Sequence, residues 1–371
     1  MFELPPRKRR LASALPEFPA NLLEFQRMFP DEGACWKYLE HLRWPSGFAC
    51  ERCGAVGEPF RLATRRAVLK CRTCRRPTSV TAGTVLHRTR TPLLVWFWAA
   101  YLVATQTPGI SALELQRQLG LARYETAFQL LHKLRAATVR PDRDPIGTDW
   151  PVEMDLTRVG GRNKGGGRGK TTKAAVAIAV EVRRKEQRDL RTGKLVKRAV
   201  AGQVRLRLLP SKAAAAVDRF AKDCIAPGAC VATDDGGEFQ NLRQSGFRHR
   251  PLPMRGSRSR MDAWLPMLST VTANLKTWLA GTFHGVSAQH LQTYLDEFAF
   301  RFNRRFHRAV SFRTLLSLGI NRSGPTYQDI YAQDRSTIAE PSPDAECVLT
   351  GSAWISLPPQ RPEPDRAAKS S

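Results

Sequence analysis

Residues 152–159, Val-Glu-Met-Asp-Leu-Thr-Arg-Val, alternate apolar and polar side chains with the period of two that a half-buried β-strand needs. Working outward, Ala174–Val182 and Val200–Leu209 are two more apolar strand-like runs. Ala213–Cys224 has helical spacing, and Cys230–Thr233 follows the turn signal Pro227-Gly228 as a short buried strand. Between the first two strands lies 160-GGRNKGGGRGKTTK-173, a hairpin loop of glycines and cations suited to phosphates, with Lys164, Arg168 and Lys170 as its candidate contacts. It does not match G-x-x-x-x-G-K-[ST] opening a helix, because Thr171 and Thr172 lead into a strand. An ATPase is rejected on that ground.

Three antiparallel strands, a helix and a fourth strand ending in an acid is the order of an RNase H-like fold. The first and fourth strands are neighbours there. Asp155 on the first and Asp234 at the end of the fourth, with Asp235 beside it, are therefore expected to converge on Mg²⁺ or Mn²⁺. From spacing alone, an acid that is merely solvated at a strand end gives the same pattern.

Toward the N-terminus, Cys50-x-x-Cys53 and Cys71-x-x-Cys74 are separated by Gly54 to Lys70, a 17-residue segment within the spacing of a Cys₄ zinc ribbon. One structural Zn²⁺ is expected, with short strands at Ala67–Lys70 and Thr78–Val80. Cys35, Cys224, Cys230 and Cys347 show no pairing pattern, which suits a reducing cytosol better than a disulfide scaffold. Helical spacing runs through residues 21–45, with Asp31 as a cap, and through Pro92–Val103, with Thr91 as N-cap and Pro92 at N1. Ser111 and Glu114 form a capping box before a short helix that Gly120 ends. The next helix, Arg123–Thr138, completes a helix-turn-helix pattern, with Arg123, Tyr124, Gln129 and Lys133 on or near a recognition helix. A plain helical bundle would show the same spacing.

The 371 residues carry 59 Lys+Arg against 33 Asp+Glu, a net charge of +26 that calls for a polyanion such as DNA or RNA. Mean hydropathy of −0.36 and the short length of Pro92–Val103 argue against a membrane protein, and the start of the chain lacks an apolar secretory region. The organisation expected is α+β: a loose arm (1–20), a helix plus zinc ribbon (21–90) and a helix-turn-helix-like region (91–140). After the linker Pro141–Pro151 come an RNase H-like domain (150–320) and a disordered tail (335–371).

VEMDLTRVGG (152–161), VRLRLLP (204–210), APGACVATD (226–234), GFRH (246–249) and NLKTWLAGTFHGVSAQHLQTYLDEFAFRFNRR (274–305) resemble bacterial insertion-sequence transposases of the ISXO type. These carry an N-terminal zinc ribbon ahead of a DDE-type, RNase H-like domain. The resemblance implies a cytoplasmic, nucleoid-associated enzyme that binds terminal inverted repeats in double-stranded DNA. It would cut and transfer strands without a nucleotide cofactor and act as a homo-oligomer on DNA. Asp155 and Asp234 match the first two catalytic acids. The third position falls on Ser269, where the family has Glu, His or Asn; Asn274 is a weaker oxygen ligand, and Asp262 and Glu297 are nearby acids. Leu156 replaces an acid that follows the first aspartate in the family, and Asp235 and Glu238 add two charges. Lys276 is expected to touch phosphate, and His284 to be structural. In 298-FAFRFNRRF-306, Phe298, Phe302 and Phe306 are expected to form a buried stripe, leaving Arg301, Arg304, Arg305 and Arg308 toward the DNA backbone. A degenerate or domesticated copy would be a zinc-dependent DNA-binding regulator. An RNA-binding ribbon protein is disfavoured for want of a stacking-aromatic module.

Overall fold

The computed structural model describes residues 17–62, 67–140, 143–160, 173–188, 191, 193–252 and 263–331. The expected tail, most of the arm, and Lys164, Arg168, Lys170 and Asp262 lie outside the described residues.

The N-terminal half is built from capped helices. In α1 (Leu22–Met28) the Asn21 side chain accepts the Glu24 N–H, and in α2 (Glu32–Arg43) Asp31 accepts the Ala34 N–H. The apolar α3 (Leu93–Thr105) departs from expectation. Pro92, not Thr91, is its cap residue, and the carboxylate of Glu32 accepts the N–H groups of Leu93 and Leu94 at 2.6 and 2.9 Å. Thr91 lies one position outside the cap and donates its N–H to Thr89 Oγ1. An anion at a helix N-terminus satisfies the orphan donors whichever element supplies it. Ser111 caps α4 (Ala112–Gln118) as expected, while Glu114 turns to Gln118 at 2.8 Å. α5 (Tyr124–Ala136) follows after the Gly120 turn.

Apolar on every face, α3 needs cover on every side. Helices α1 and α2 supply part of it, and the rest comes from across the chain. α9 (Arg308–Ile320) lays Phe312, Leu315, Leu316 and Ile320 into the same core. Phe312 packs ring to ring with Phe25, Phe29, Tyr38, Phe97 and Tyr101.

The small sheet comprises β1 (Phe60–Arg61), β2 (Val68–Lys70) and β3 (Pro77–Ser79), all antiparallel. The large sheet has β4 (Val152–Val159), β5 (Ala174–Arg188), β6 (Leu195–Leu209), β7 (Cys230–Asp234) and β8 (Arg248–Leu252), in the order β6-β5-β4-β7-β8. β4, β5 and β6 are antiparallel neighbours, whereas β7 runs parallel to β4 and β8 parallel to β7. This is the RNase H-like α+β arrangement. β5 and β6 extend beyond their expected ends as a long exposed hairpin, because their outer residues pair with each other without needing a core beneath them. β8, with the sequence Arg-His-Arg-Pro-Leu, has no apolar alternation to betray it.

The two faces of the sheet are covered separately. Val152, Met154 and Leu156 point to α6 (Ala214–Cys224) through Val217, Phe220 and Ala221. Val159, Val176, Ile178 and Val180 point to α7 (Pro266–Phe283) and α8 (Ala288–Asn303) through Leu268, Val271, Leu275, Leu291 and Leu295. A short α10 (Tyr327–Tyr331) closes the described chain.

Candidate active site and nucleic-acid interface

Parallel pairing matches Val152 with Val231 and Glu153 with Ala232. Continued two residues further, that register sets Asp155 opposite Asp234 on neighbouring strands, and the Asp234 charge acts on Asp155. Both face the α7 side of the sheet, since Asp155 pairs across β5 with Ile178, a member of that cluster. Burial pushes the Asp155 carboxyl up to about 6, and the charges of Asp234 and Glu238 push the same way. Asp234 is raised too, by burial and then by Glu238 and Asp235. Each accepts one backbone N–H, Asp155 from Leu156 at 2.6 Å and Asp234 from Gly236 at 3.3 Å.

Three further charged residues neighbour this pair. Glu238 sits on a single 3-10 turn (Gly237–Phe239) just after β7. A methyl group at Gly236 would lie 2.6 Å from Glu238 Oε2 and 3.1 Å from Asp234 Oδ1, so both carboxylates flank that glycine. Lys212, between β6 and α6, is the cation that opposes the raised pKa of both aspartates. Glu153 shares the Asp155 face of β4 and accepts the Leu268 N–H at 2.7 Å near the start of α7. Burial pushes it up to about 7. The period-two pattern of β4 carried the Glu153 signal, since residues 153 and 155 fall on one face.

Ser269 is half-buried in the first turns of α7, and Asn274 is exposed further along it. Among the described residues neither shares a hydrogen bond with Asp155 or Asp234. Glu297, considered above as a spare acid, is fully buried and accepts from Arg135 Nε at 2.7 Å. It also pairs with Arg301 at 3.4 Å, so it is an internal counter-ion rather than a metal ligand.

The thiols of Cys50, Cys53, Cys71 and Cys74 all lie within 4.8 Å of one another. Each pair makes the same knuckle. Gly54 donates its N–H to the Cys50 carbonyl and Arg75 to the Cys71 carbonyl, both with left-handed φ of 70° and 60°. The backbone N–H of Cys74 holds the Cys71 thiol down to about 6, favouring the thiolate that binds metal. Four sulfurs with no open position form a structural zinc site.

Two family models match the chain. A transposase zinc-ribbon domain covers residues 30–77, and an ISXO2-like transposase domain covers residues 148–303. The chain belongs to the zinc-ribbon insertion-sequence transposases. No curated protein and no solved structure matches it. Both acids of the pair and the whole of the long sheet fall inside the matched transposase domain, while the four cysteines fall inside the matched ribbon.

In this transposase the residues expected to meet DNA separate into two groups. Arg123 and Tyr124 are exposed at the start of α5, Lys133 is half-buried on the same helix, and Lys276 is exposed on α7. The arginines after Phe300 behave otherwise. α8 ends at Asn303, which breaks the expected stripe: Phe298 is buried, Phe302 stacks on it at 5.8 Å, and Phe306 is 76% exposed. Arg304 lies over the Phe300 ring at 4.2 Å and donates to the Phe300 carbonyl. Arg305 donates to the carbonyls of Phe302, Gly202 and Ala201, stitching α8 to β6. Arg301 donates to the carbonyls of Val103, Gln106 and Thr107, which joins the two halves. Arg308, still exposed, donates to Thr107 Oγ1. Instead of facing outward to DNA, three of the four guanidiniums are half-buried and bonded to backbone. His284 is structural in geometry, taking the left-handed cap of α7 with φ 54°. No helix among the described residues is long and apolar enough to cross a membrane.

Proposed function

We propose that this transposase binds the terminal inverted repeats of a mobile element in double-stranded DNA, then cleaves and transfers the strands, acting as a homo-oligomer on the two ends. The observation that carries this reading is the side-by-side placement of Asp155 and Asp234 on parallel β4 and β7 of the matched domain. Two half-buried carboxylates with raised pKa are a donor set that a hard divalent cation suits. Asp155 and Asp234 would hold Mg²⁺ or Mn²⁺, with Glu238, which shares the flank of Gly236 with Asp234, as a candidate for the third oxygen ligand that Ser269 does not provide. When bound, the metal supplies charge stabilisation to the oxygens of a phosphodiester. Lys212 places a positive charge beside the pair and is suited to a phosphate oxygen. Both acids sit on strands of the sheet, a rigid element, so little reorganisation is needed when the DNA strand arrives.

The test uses a labelled duplex carrying the repeats that flank the reading frame, with Mg²⁺ or Mn²⁺. Nicked or joined products are expected, and Asp155→Asn and Asp234→Asn should reduce them on the order of a thousandfold while retaining binding. Binding without products from the unmodified chain would favour a second reading, a catalytically degenerate DNA-binding regulator. Serine at position 269 is the feature that favours it, and a gain of products in Ser269→His or Ser269→Glu would mark the chain as decayed.

A further inference from the structure

The open face of α5 does not look out on bulk solvent. Thr126, Gln129 and Lys133, spaced at i, i+3 and i+7, line a cleft of about 210 Å³ whose other wall is Arg88–Thr91 and Trp96. The same four residues, Arg88–Thr91, also line a larger cleft of about 720 Å³ that runs past Trp36, Ala67, Ser79 and Thr81 of the ribbon side. One groove thus leads from the zinc ribbon, over the segment 88–91, to the second helix of the helix-turn-helix. The segment is fixed at its centre. Thr89 Oγ1 accepts from Trp96 Nε1 at 2.9 Å and from the Thr91 N–H at 3.1 Å, while Arg88 and Arg90 on either side are exposed.

The charges in this groove are unbalanced. Among the described residues Arg88, Arg90 and Lys133 have no ion pair and no side-chain hydrogen bond. Glu32 is the carboxylate on the lining, and both its oxygens are engaged by the start of α3. Lys133 is half-buried, and desolvation lowers its pKa with no acid to oppose it. A cation held in a partly desolvated cleft without an anion is unfavourable by itself and becomes favourable when a polyanion enters.

We infer that this groove is the track for one phosphodiester strand of duplex DNA, with Arg88, Arg90 and Lys133 as its phosphate contacts. The inference rests on the DNA-binding reading above and names where on the N-terminal half the backbone lies. It makes ribbon and helix-turn-helix one continuous surface, with segment 88–91 setting the register of α5 on the duplex.

The test is the salt dependence of binding, by fluorescence anisotropy, of a labelled 30-base-pair duplex to the full zinc-loaded chain. Each phosphate contact contributes about 0.9 to the slope of log K against log salt. The triple variant Arg88→Ala/Arg90→Ala/Lys133→Ala is expected to lower the slope by about 2.7. Circular dichroism and zinc content serve as folding controls. The charge-matched triple Arg27→Ala/Lys37→Ala/Lys194→Ala, exposed and outside the groove, should lower it by less than about 1. Equal losses in the two triples would overturn the groove while leaving DNA binding intact. If the unmodified chain shows no salt-steep binding to duplex DNA, or prefers RNA, both the groove and the DNA reading fall.

Discussion

The two polar centres of this transposase are opposite in construction. In the ribbon, four sulfurs from two identical knuckles already converge within 4.8 Å, and backbone N–H groups favour the thiolate of Cys71. In the RNase H-like domain, like charges are set side by side and half-buried, and their pKa values rise together. The first centre contributes to the fold once metal binds it. The second costs free energy in the fold, which under the proposed function a bound cation would return. A stability measurement and an activity measurement should therefore respond to them in opposite ways.

The largest effect is expected at the ribbon. Structural zinc contributes apparent free energies of about 10–16 kcal/mol in small zinc domains. Cys50→Ser or Cys71→Ser should release the one zinc and expose residues 30–77 to proteolysis while the large sheet stays protected. A ribbon that keeps its protection without metal would erase the contrast. Next, Asp155→Asn should reduce strand cleavage on the order of a thousandfold, equivalent to several kcal/mol of transition-state stabilisation. The same variant should leave the melting temperature unchanged or raised, because a desolvated carboxylate has been removed. A marked fall in melting temperature would recast Asp155 as structural.

Smaller effects sharpen the comparison away from either centre. Glu297→Gln leaves Arg135 buried without its counter-charge, and is expected to cost about 3–5 kcal/mol in urea unfolding. Cleavage per folded molecule should be little changed. The smallest effect is a pH dependence at Asp296 on α8, whose carboxyl burial pushes up to about 6 against the opposing charge of Arg143. A folded pKa above the unfolded value of about 3.9 means that the native state holds the proton more tightly. The contribution of Asp296 is thus most favourable below about pH 4, declines as pH rises to about 6, and is level above that. The stability gap between the unmodified chain and Asp296→Asn should widen between pH 4.5 and 7 in favour of the variant, as read from urea midpoints. A gap independent of pH would show that the carboxyl is not desolvated.

Where a signal was local, the sequence carried it. The caps at Asp31 and Ser111, the first three long strands and the two cysteine knuckles all rest on residues within a few positions of one another. Where the partner came from far along the chain, local pattern misled. Thr91 looked like the cap of α3 because it precedes Pro92, yet Glu32 takes that role from α2. Arg304, Arg305 and Arg308 looked free because helical periodicity was carried past Asn303, where the helix ends. Glu153 was legible in principle, being two residues from Asp155 on one strand face.

From its residues alone, this chain determines a Cys₄ zinc ribbon and an ordered set of strands with acids on the first and the fourth. Cysteine spacing and period-two alternation act within a turn or a strand, where chain connectivity already fixes the geometry. Only the tertiary structure decided that α9 completes the N-terminal core, that Glu297 serves Arg135, and that Glu238 and Lys212 surround the aspartate pair. Those contacts join segments that sequence distance leaves independent, and they are selected by which buried surfaces and charges need a partner.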